Sequence, residues 1–329
     1  MVNLFTHFFL LISIALTFGQ NPNWLILQKD SSGLPTNGIR GVVQDKKGNY
    51  WILTYDAGLV KYDLKSWTIF NTKNSPLPHN YVYSLAFDKN ENLWIGTYGG
   101  GVAVFDQKKT WKIFNRSNSK LPCNWIYSII VDHNSNIWVG TFSGGMAKFD
   151  GTEWEVFNKE NSPLTQNKVT ILYEDKNNLL WIGTAEMFFW IKDGKWITEK
   201  EMNYGSLDYA AYWITSDKKN RIIFGYKFGS LVIYDGEKFE ILNPQNSKMP
   251  IEGFYGVASD FNDVIWAGTF GQGVVRYDGV SFKTFRSGSS PLSDDLVFNI
   301  FVDNKNNKWF STLRGGISIF NENGVILNR

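Results

Sequence analysis

One pattern returns through the chain at a nearly fixed interval, and it restricts the fold more than any other feature. Its clearest copy is Asp88-Lys89-Asn90-Glu91-Asn92-Leu93-Trp94-Ile95-Gly96-Thr97-Tyr98-Gly99-Gly100-Gly101-Val102, which reads as turn, strand, glycine turn, strand. Its leading aspartate recurs as Asp45, Asp88, Asp132, Asp175, Asp217, Asp260 and Asp303, at spacings of 43, 44, 43, 42, 43 and 43 residues. The copies headed by Asp45 and Asp217 are the weaker ones. Self-similarity at a fixed period of about 40–50 residues marks a propeller or solenoid. Within each copy, short period-2 apolar runs are bounded by Gly, Asn and Asp clusters, and helical periodicity is missing throughout. That argues all-β structure with four strands per repeat.

Local residues supply the turns. An aspartate at each repeat head bonds its own downstream backbone as an Asx-turn. Gly99-Gly100-Gly101, Gly144-Gly145 and Gly315-Gly316 permit positive φ between the second and third strands. Asp150-Gly151, Asp193-Gly194, Asp235-Gly236 and Asp278-Gly279 mark hairpins between the third and fourth. Pro-containing loops such as Asn74-Ser75-Pro76-Leu77-Pro78 suit a crossing from an outer strand to the next inner strand. Trp51, Trp94, Trp138, Trp181, Trp266 and Trp309 share one position in the second strand. Trp24, Trp67, Trp111, Trp154 and Trp196 share one in the fourth. Such rows suit a carbohydrate platform or packing between repeats, and burial of large aromatic area favours packing. Trp125, Trp190 and Trp213 fall outside both positions and are freer for function.

The ends point to closure. The seventh repeat has three strands and then runs out, whereas Trp24-Leu25-Ile26-Leu27 is a fourth strand without its repeat. Pairing the two would leave no open sheet edge. Val325-Ile326-Leu327 competes for that place or lies beside it as a partial fifth strand. Residues 20–329 are therefore expected to form one closed seven-bladed β-propeller of antiparallel four-stranded blades, the last completed by the N-terminal strand. Ahead of it, the apolar run Leu4 to Phe18 and the small residues Thr17 and Gly19 predict a signal peptide over residues 1–19, cleaved before Gln20. The run is short for a spanning helix, and no later stretch is longer and as apolar. A periplasmic or secreted location with no stable membrane span follows.

Composition excludes several function classes. The formal net charge is +2 with no basic block, which argues against nucleic acid. Cys123 is the only cysteine, so an intrachain disulfide and a multi-cysteine metal site are ruled out. The histidines are His7, His79 and His133. Strand order places His79 and His133 on opposite faces, which argues against a histidine triad or metal cluster. The Asp88 to Asn92 turn lacks the spaced oxygen ligands of a calcium loop. No cofactor or metal is expected.

The repeats Asn92-Leu93-Trp94-Ile95-Gly96-Thr97 with Gly99-Gly100-Gly101, Asn136-Ile137-Trp138-Val139-Gly140-Thr141 with Gly144-Gly145, and the Ser75-Pro76-Leu77-Pro78 loop with Tyr83-Ser84-Leu85 resemble the two-component regulator propeller repeat. The resemblance covers residues 24 to 327. It implies a seven-bladed propeller and a receptor role, often for glycans or their breakdown products, where joined to a kinase. This chain carries no kinase or transmembrane segment of its own, so it is expected to bind rather than to transmit a signal. Streptogramin lyases, also seven-bladed with Trp-containing repeats, resemble it as the enzyme alternative, but no histidine–acid pairing is evident in the sequence. A structural module of an envelope or secretion assembly is the third class. The repeats headed by Asp175 and Asp217 depart from the pattern at Ala185-Glu186-Met187 and at Ile223 and Tyr226 to Ser230, through drift or through a ligand-specific loop.

In such a fold, the crossing loops and the turns after each Gly-Thr pair open on one face. That face carries Tyr55, Tyr98, Phe142, Phe270 and Lys227, then Asp56, Glu186 and Arg314, while Asn80, Tyr81, Asn124, Trp125, Asn167 and Lys168 come from the crossing loops. Aromatics with interspersed charge around a channel mouth suit a small-molecule site. The candidate ligand residues are therefore Tyr55, Asp56, Tyr98, Trp125, Phe142, Lys168, Glu186, Lys227, Phe270 and Arg314. The expected partner is a small molecule, a glycan, or a periplasmic or envelope protein.

Overall fold

The computed structural model describes residues 22–198, 211–226, 230–250 and 253–327. The proposed signal peptide and Lys227 lie outside the described residues. Seven antiparallel sheets of four strands each are arranged as successive blades. The innermost strands are Ile39–Gln44, Val82–Phe87, Ile126–Val131, Val169–Glu174, Ala211–Ser216, Phe254–Ser259 and Val297–Val302. The N-terminal strand Trp24–Leu27 pairs with Ile317–Phe320 as the outer strand of the seventh blade, with Trp24 opposite Phe320 and Leu27 opposite Ile317. Closure is thus the one expected. Val325 to Leu327 form no fifth strand. Val325 N–H donates to Pro22 O at 2.8 Å, and Val325 and Leu327 pack beside the junction of the seventh and first blades.

The Asp…Trp-x-Gly-Thr repeat does three jobs. Asp88 Oδ1 accepts from the N–H groups of Asn90 and Asn92, and its Oδ2 accepts from Trp94 Nε1 at 3.1 Å. The indole so fixed lies between blades, with its ring 5.9 Å from Phe114 and 5.7 Å from Phe149 of the next blade. Gly96 lets that next blade approach, because a Cβ there would stand 2.7 Å from Ile126 Cγ2. Thr97 Oγ1 donates to Gly101 O, and Gly101, at φ 83°, could not carry a side chain without meeting Phe114 O. The core is accordingly a ring of clusters, each shared by two neighbouring blades. The fourth-strand tryptophans pack across the hairpin, Trp67 stacked on Tyr62 with centroids 4.0 Å apart and Trp154 tilted against Phe149 at 5.0 Å. Both tryptophan rows are packing elements.

Two departures from the repeat have local explanations. In the fourth blade, Thr184 N–H donates to Met187 O, three residues on, where Thr97 N–H reaches Gly101, four residues on. The turn is one residue shorter and dispenses with the glycines. In the fifth blade Ile223 replaces the tryptophan, and Arg221 Nε takes the indole's place on Asp217 Oδ2 at 2.6 Å. Trp190 is not free for function: it is buried against Trp181, with centroids 5.1 Å apart.

Candidate ligand-binding site

Every inner strand contains the same irregularity. In the first blade Ile39 faces Thr54 and Gly41 faces Leu53, so Arg40 is skipped by the ladder. The same skip occurs at Tyr83, Tyr127, Thr170, Tyr212, Tyr255 and Phe298. A bulge re-aims its extra side chain, and repeated around a ring it directs one residue per blade to the same level of the axis. Tyr83 and Tyr127 meet edge to face at 4.7 Å, Tyr212 and Tyr255 at 5.6 Å, and Tyr255 and Phe298 at 5.0 Å. Arg40 projects among them, its guanidinium 4.3 Å from the Tyr83 ring and 5.8 Å from that of Trp213 in the fifth blade. Below this level lies a cavity of about 350 Å³ lined by inner strands, with Arg40, Tyr83, Tyr127, Lys168, Trp213 and Asn299 among its walls. That is within the size range of small-molecule sites.

At the mouth, the expected aromatics form a continuous collar over several blades. Centroids are 4.8 Å apart for Tyr55 and Tyr81, 5.1 Å for Tyr81 and Tyr98, 4.4 Å for Tyr98 and Trp125, and 4.8 Å for Trp125 and Phe142. Tyr98 and Trp125 also share an isolated β-bridge between blades. Across the mouth, Phe270 lies 5.5 Å from Tyr255. Lys168 Nζ sits 5.7 Å from the Tyr127 ring and 5.6 Å from that of Phe142. Among the charged candidates within the described residues, only Lys168 lines the cavity. Asp56, Glu186 and Arg314 are exposed on the outer rim. Glu186 Oε2 accepts from Thr165 Oγ1 at 3.2 Å, and Arg314 N–H donates to Asp294. The crossing-loop asparagines are structural: Asn124 Oδ1 accepts from Arg116 N–H, and its carbonyl accepts from Gly99 and Gly101.

The bulge residues escaped the sequence reading: aligning the repeats marks their shared position but not the bulge that turns them inward. Each follows the first apolar residue of its inner strand, and most are aromatic. The environment is partly desolvated. Burial raises the Tyr55 and Tyr127 hydroxyls above their ordinary range, Tyr127 to about 12. For Arg40, burial opposes the charge, but the surrounding Tyr83, Tyr55 and Tyr81 hydroxyls outweigh it and its pKa lies above the usual value.

On the opposite face the structure reveals a histidine–acid pair that the sequence reading did not foresee. His133 Nδ1 lies 2.7 Å from Glu174 Oε1, and His133 N–H donates to Glu174 Oε2. The hydrogen bond to Glu174 raises the His133 pKa. The backbone half of this pair is one instance of a repeated link between blades. Lys218 N–H donates to Asp263 Oδ1, Phe261 N–H to Asn306 Oδ1, and Asn304 N–H to Gln44 Oε1 at equivalent turns. These turns are therefore joints between blades, not merely solvated loops. His79 contacts Tyr98 on the mouth face, with ring centroids 6.4 Å apart, away from His133.

A family model for the two-component regulator propeller matches residues 33–56, 76–99, 120–143 and 163–186, each a crossing loop with the first two strands of a blade. The first four blades thus carry two-component regulator propeller repeats. Among solved structures it is similar to the extracellular domain of a hybrid two-component system of B. thetaiotaomicron, BT3049, at 20% identity and TM-score 0.76, covering 91% of this chain and 41% of that one. It thus spans about two fifths of the length of such relatives. It is also similar to virginiamycin B lyase from Staphylococcus aureus (14% identity, TM-score 0.72, covering 92% and 99%) and to YCF48 from Cyanidioschyzon merolae (14%, 0.66, covering 92% and 100%). At these identities the likeness shows the fold alone. No curated protein matches the chain in sequence. No helix among the described residues is long and apolar enough to cross a membrane.

Proposed function

We propose that this protein is an exported, non-catalytic propeller that binds a small molecule or glycan at the mouth of its central channel. The observation that carries this reading is the collar of Tyr55, Tyr81, Tyr98, Trp125 and Phe142 standing over a cavity walled by the bulge residues. Aromatic faces above a recess with few polar groups are the composition of a recognition site. The His133 backbone makes a link that recurs between other blades, and its ring lies on the face away from the cavity, so we assign it a structural role. Export rests on the apolar run before Gln20, and the mature protein is expected to have an intact mass beginning at that residue. The resemblance of the repeats to those of periplasmic sensor regions supports both parts.

The experiment is a thermal-shift screen with a glycan and metabolite library, followed by paired substitutions. Tyr98→Ala and Trp125→Ala should each weaken binding of the best hit about tenfold or more, in line with loss of an aromatic anchor. Lys89→Ala and Asn134→Ala on the other face should leave it unchanged. A loss confined to the second pair would remove the mouth from consideration, and turnover of the hit would favour an enzyme. A protein partner is the second reading, motivated by Phe142 and Phe270, which are 37% and 63% exposed at the mouth.

A further inference from the structure

We propose that the channel below the aromatic collar is a subsite for a small hydroxylated carboxylate of monosaccharide size, its carboxylate held by Arg40 and one of its hydroxyls by Asn299. This rests on the binding function proposed above and narrows it to a class of ligand.

Two independent observations meet here. The first is Arg40. It reaches into the channel between Tyr83 and Trp213, which belong to different blades. Among the described residues it takes part in no ion pair. It is partly exposed to the channel and supported by the Tyr83 ring and hydroxyl, with no carboxylate beside it. Its forked donors match a carboxylate in the plane. The contrast with Lys308 is instructive. Fully buried in the seventh blade, its Nζ lies 3.1 Å from Asp260 Oδ2 and 2.6 Å from Glu322 Oε2. The fully buried cation is thus neutralised by the fold, whereas the partly exposed one that faces the channel has no carboxylate partner among the described residues.

The second observation is Asn299. It is 7% exposed, lines the same cavity, and its Oδ1 is buried without a hydrogen-bond partner. Its side chain lies against the backbone next to Arg40: a Cβ on Gly41 would stand 3.5 Å from Asn299 Oδ1. Buried acceptors of this kind are normally satisfied, and the third position of other inner strands shows how. Ser84 Oγ accepts from Ile129 N–H at 2.8 Å and Ser128 Oγ from Leu172 N–H at 3.0 Å, each linking one blade to the next. Asn299 occupies that same strand position without such a bond. Next to a cation that attracts an anion, an open acceptor calls for a donor on the same ligand, and a hydroxyl beside a carboxylate supplies it. Lys168 on the cavity wall adds a second positive group. The tyrosine rings offer flat apolar faces to the carbon side of the ligand.

The test is isothermal titration of the full mature chain with glucuronate, galacturonate and gluconate, each against its neutral parent sugar or polyol. At least one carboxylate should bind, and its neutral parent at least tenfold more weakly. Arg40→Gln should weaken the carboxylate about thirtyfold or more, the scale for truncating one partner of a desolvated charge pair. Asn299→Leu should weaken it less, and equally for carboxylates that share the hydroxyl pattern. The melting temperature of Arg40→Gln without ligand separates function from structure. If Arg40 serves the ligand, that temperature stays level or rises, whereas a marked fall would mean that Arg40 props the channel, and would overturn the proposal. So would the absence of binding by all three carboxylates, or equal affinities in wild type and Arg40→Gln. Neutral sugars that bind without regard to Arg40 but lose affinity in Trp125→Ala would leave the mouth standing and remove this subsite. A carboxylate indifferent to Tyr98→Ala and Trp125→Ala but lost in Arg40→Gln would do the reverse.

Discussion

The aspartate at each repeat head shows how much structure one side chain can organise. Asp303 is 1% exposed and accepts from Lys305 N–H, Asn307 N–H, Asn307 Nδ2, Trp309 Nε1 and, across to the first blade, Tyr50 OH. Asp303→Ala would strand several of these donors, each at about 1–3 kcal/mol, and should cost about 3 kcal/mol or more in urea unfolding. Asp88→Ala, at a less buried turn, should cost less. Asp260 gives a pH signature. Burial pushes its pKa up, but hydrogen bonds from Trp266 and Asn262 and the nearby Lys308 ammonium outweigh this, so its folded pKa is lowered. A lowered folded pKa means stability that is full above the unfolded value of about 4 and lost as pH falls through the folded one. Melting temperatures followed from neutral pH into acid should therefore fall less steeply in Asp260→Asn than in wild type.

At the scale of elements, the N-terminal strand is the clasp. Trp24 is buried, with its ring 4.7 Å from Phe320 and 5.9 Å from Phe285 of the sixth blade, so it ties the outer strand to two blades. Trp24→Ala should destabilise by about 3–5 kcal/mol. Deleting Gln20 to Ser31 should bare the edge of Ile317–Phe320 and bring loss of cooperative melting with self-association on size exclusion, as an open edge invites pairing. A truncated protein that stayed monomeric and melted within a degree or two of full length would remove the clasp role. This element was readable because Trp24 stands ten residues before Leu34, as Trp67 stands ten before Leu77. The repeat transmits strand order, turn chemistry and blade count directly, since each is written in local residues. The channel wall was not readable in the same way. Whether Arg40 or Tyr83 points inward depends on a bulge, and a bulge is a property of register between two strands. Likewise, Ile223 in place of a tryptophan looked like drift until the pairing of Arg221 with Asp217 was seen.

For the whole molecule, the two ends of the channel have different characters. One end gathers aromatics over a cavity, and the other joins blades through Asp-headed turns and links such as His133 with Glu174. The architecture makes this division natural. Crossing loops and second-to-third-strand turns converge around the axis at one end, and their side chains are open to variation because the blades are fixed by Asp, Trp and Gly elsewhere. The most direct measurement is hydrogen–deuterium exchange of the mature protein, alone and with the compound that stabilises it most in the thermal-shift screen. Binding at the mouth predicts slowed exchange in residues 78–84, 122–128 and 165–170. Residues 88–92 and 132–136 on the other face should be unchanged. Protection confined to those Asp-headed turns, with the crossing loops unaffected, would contradict it.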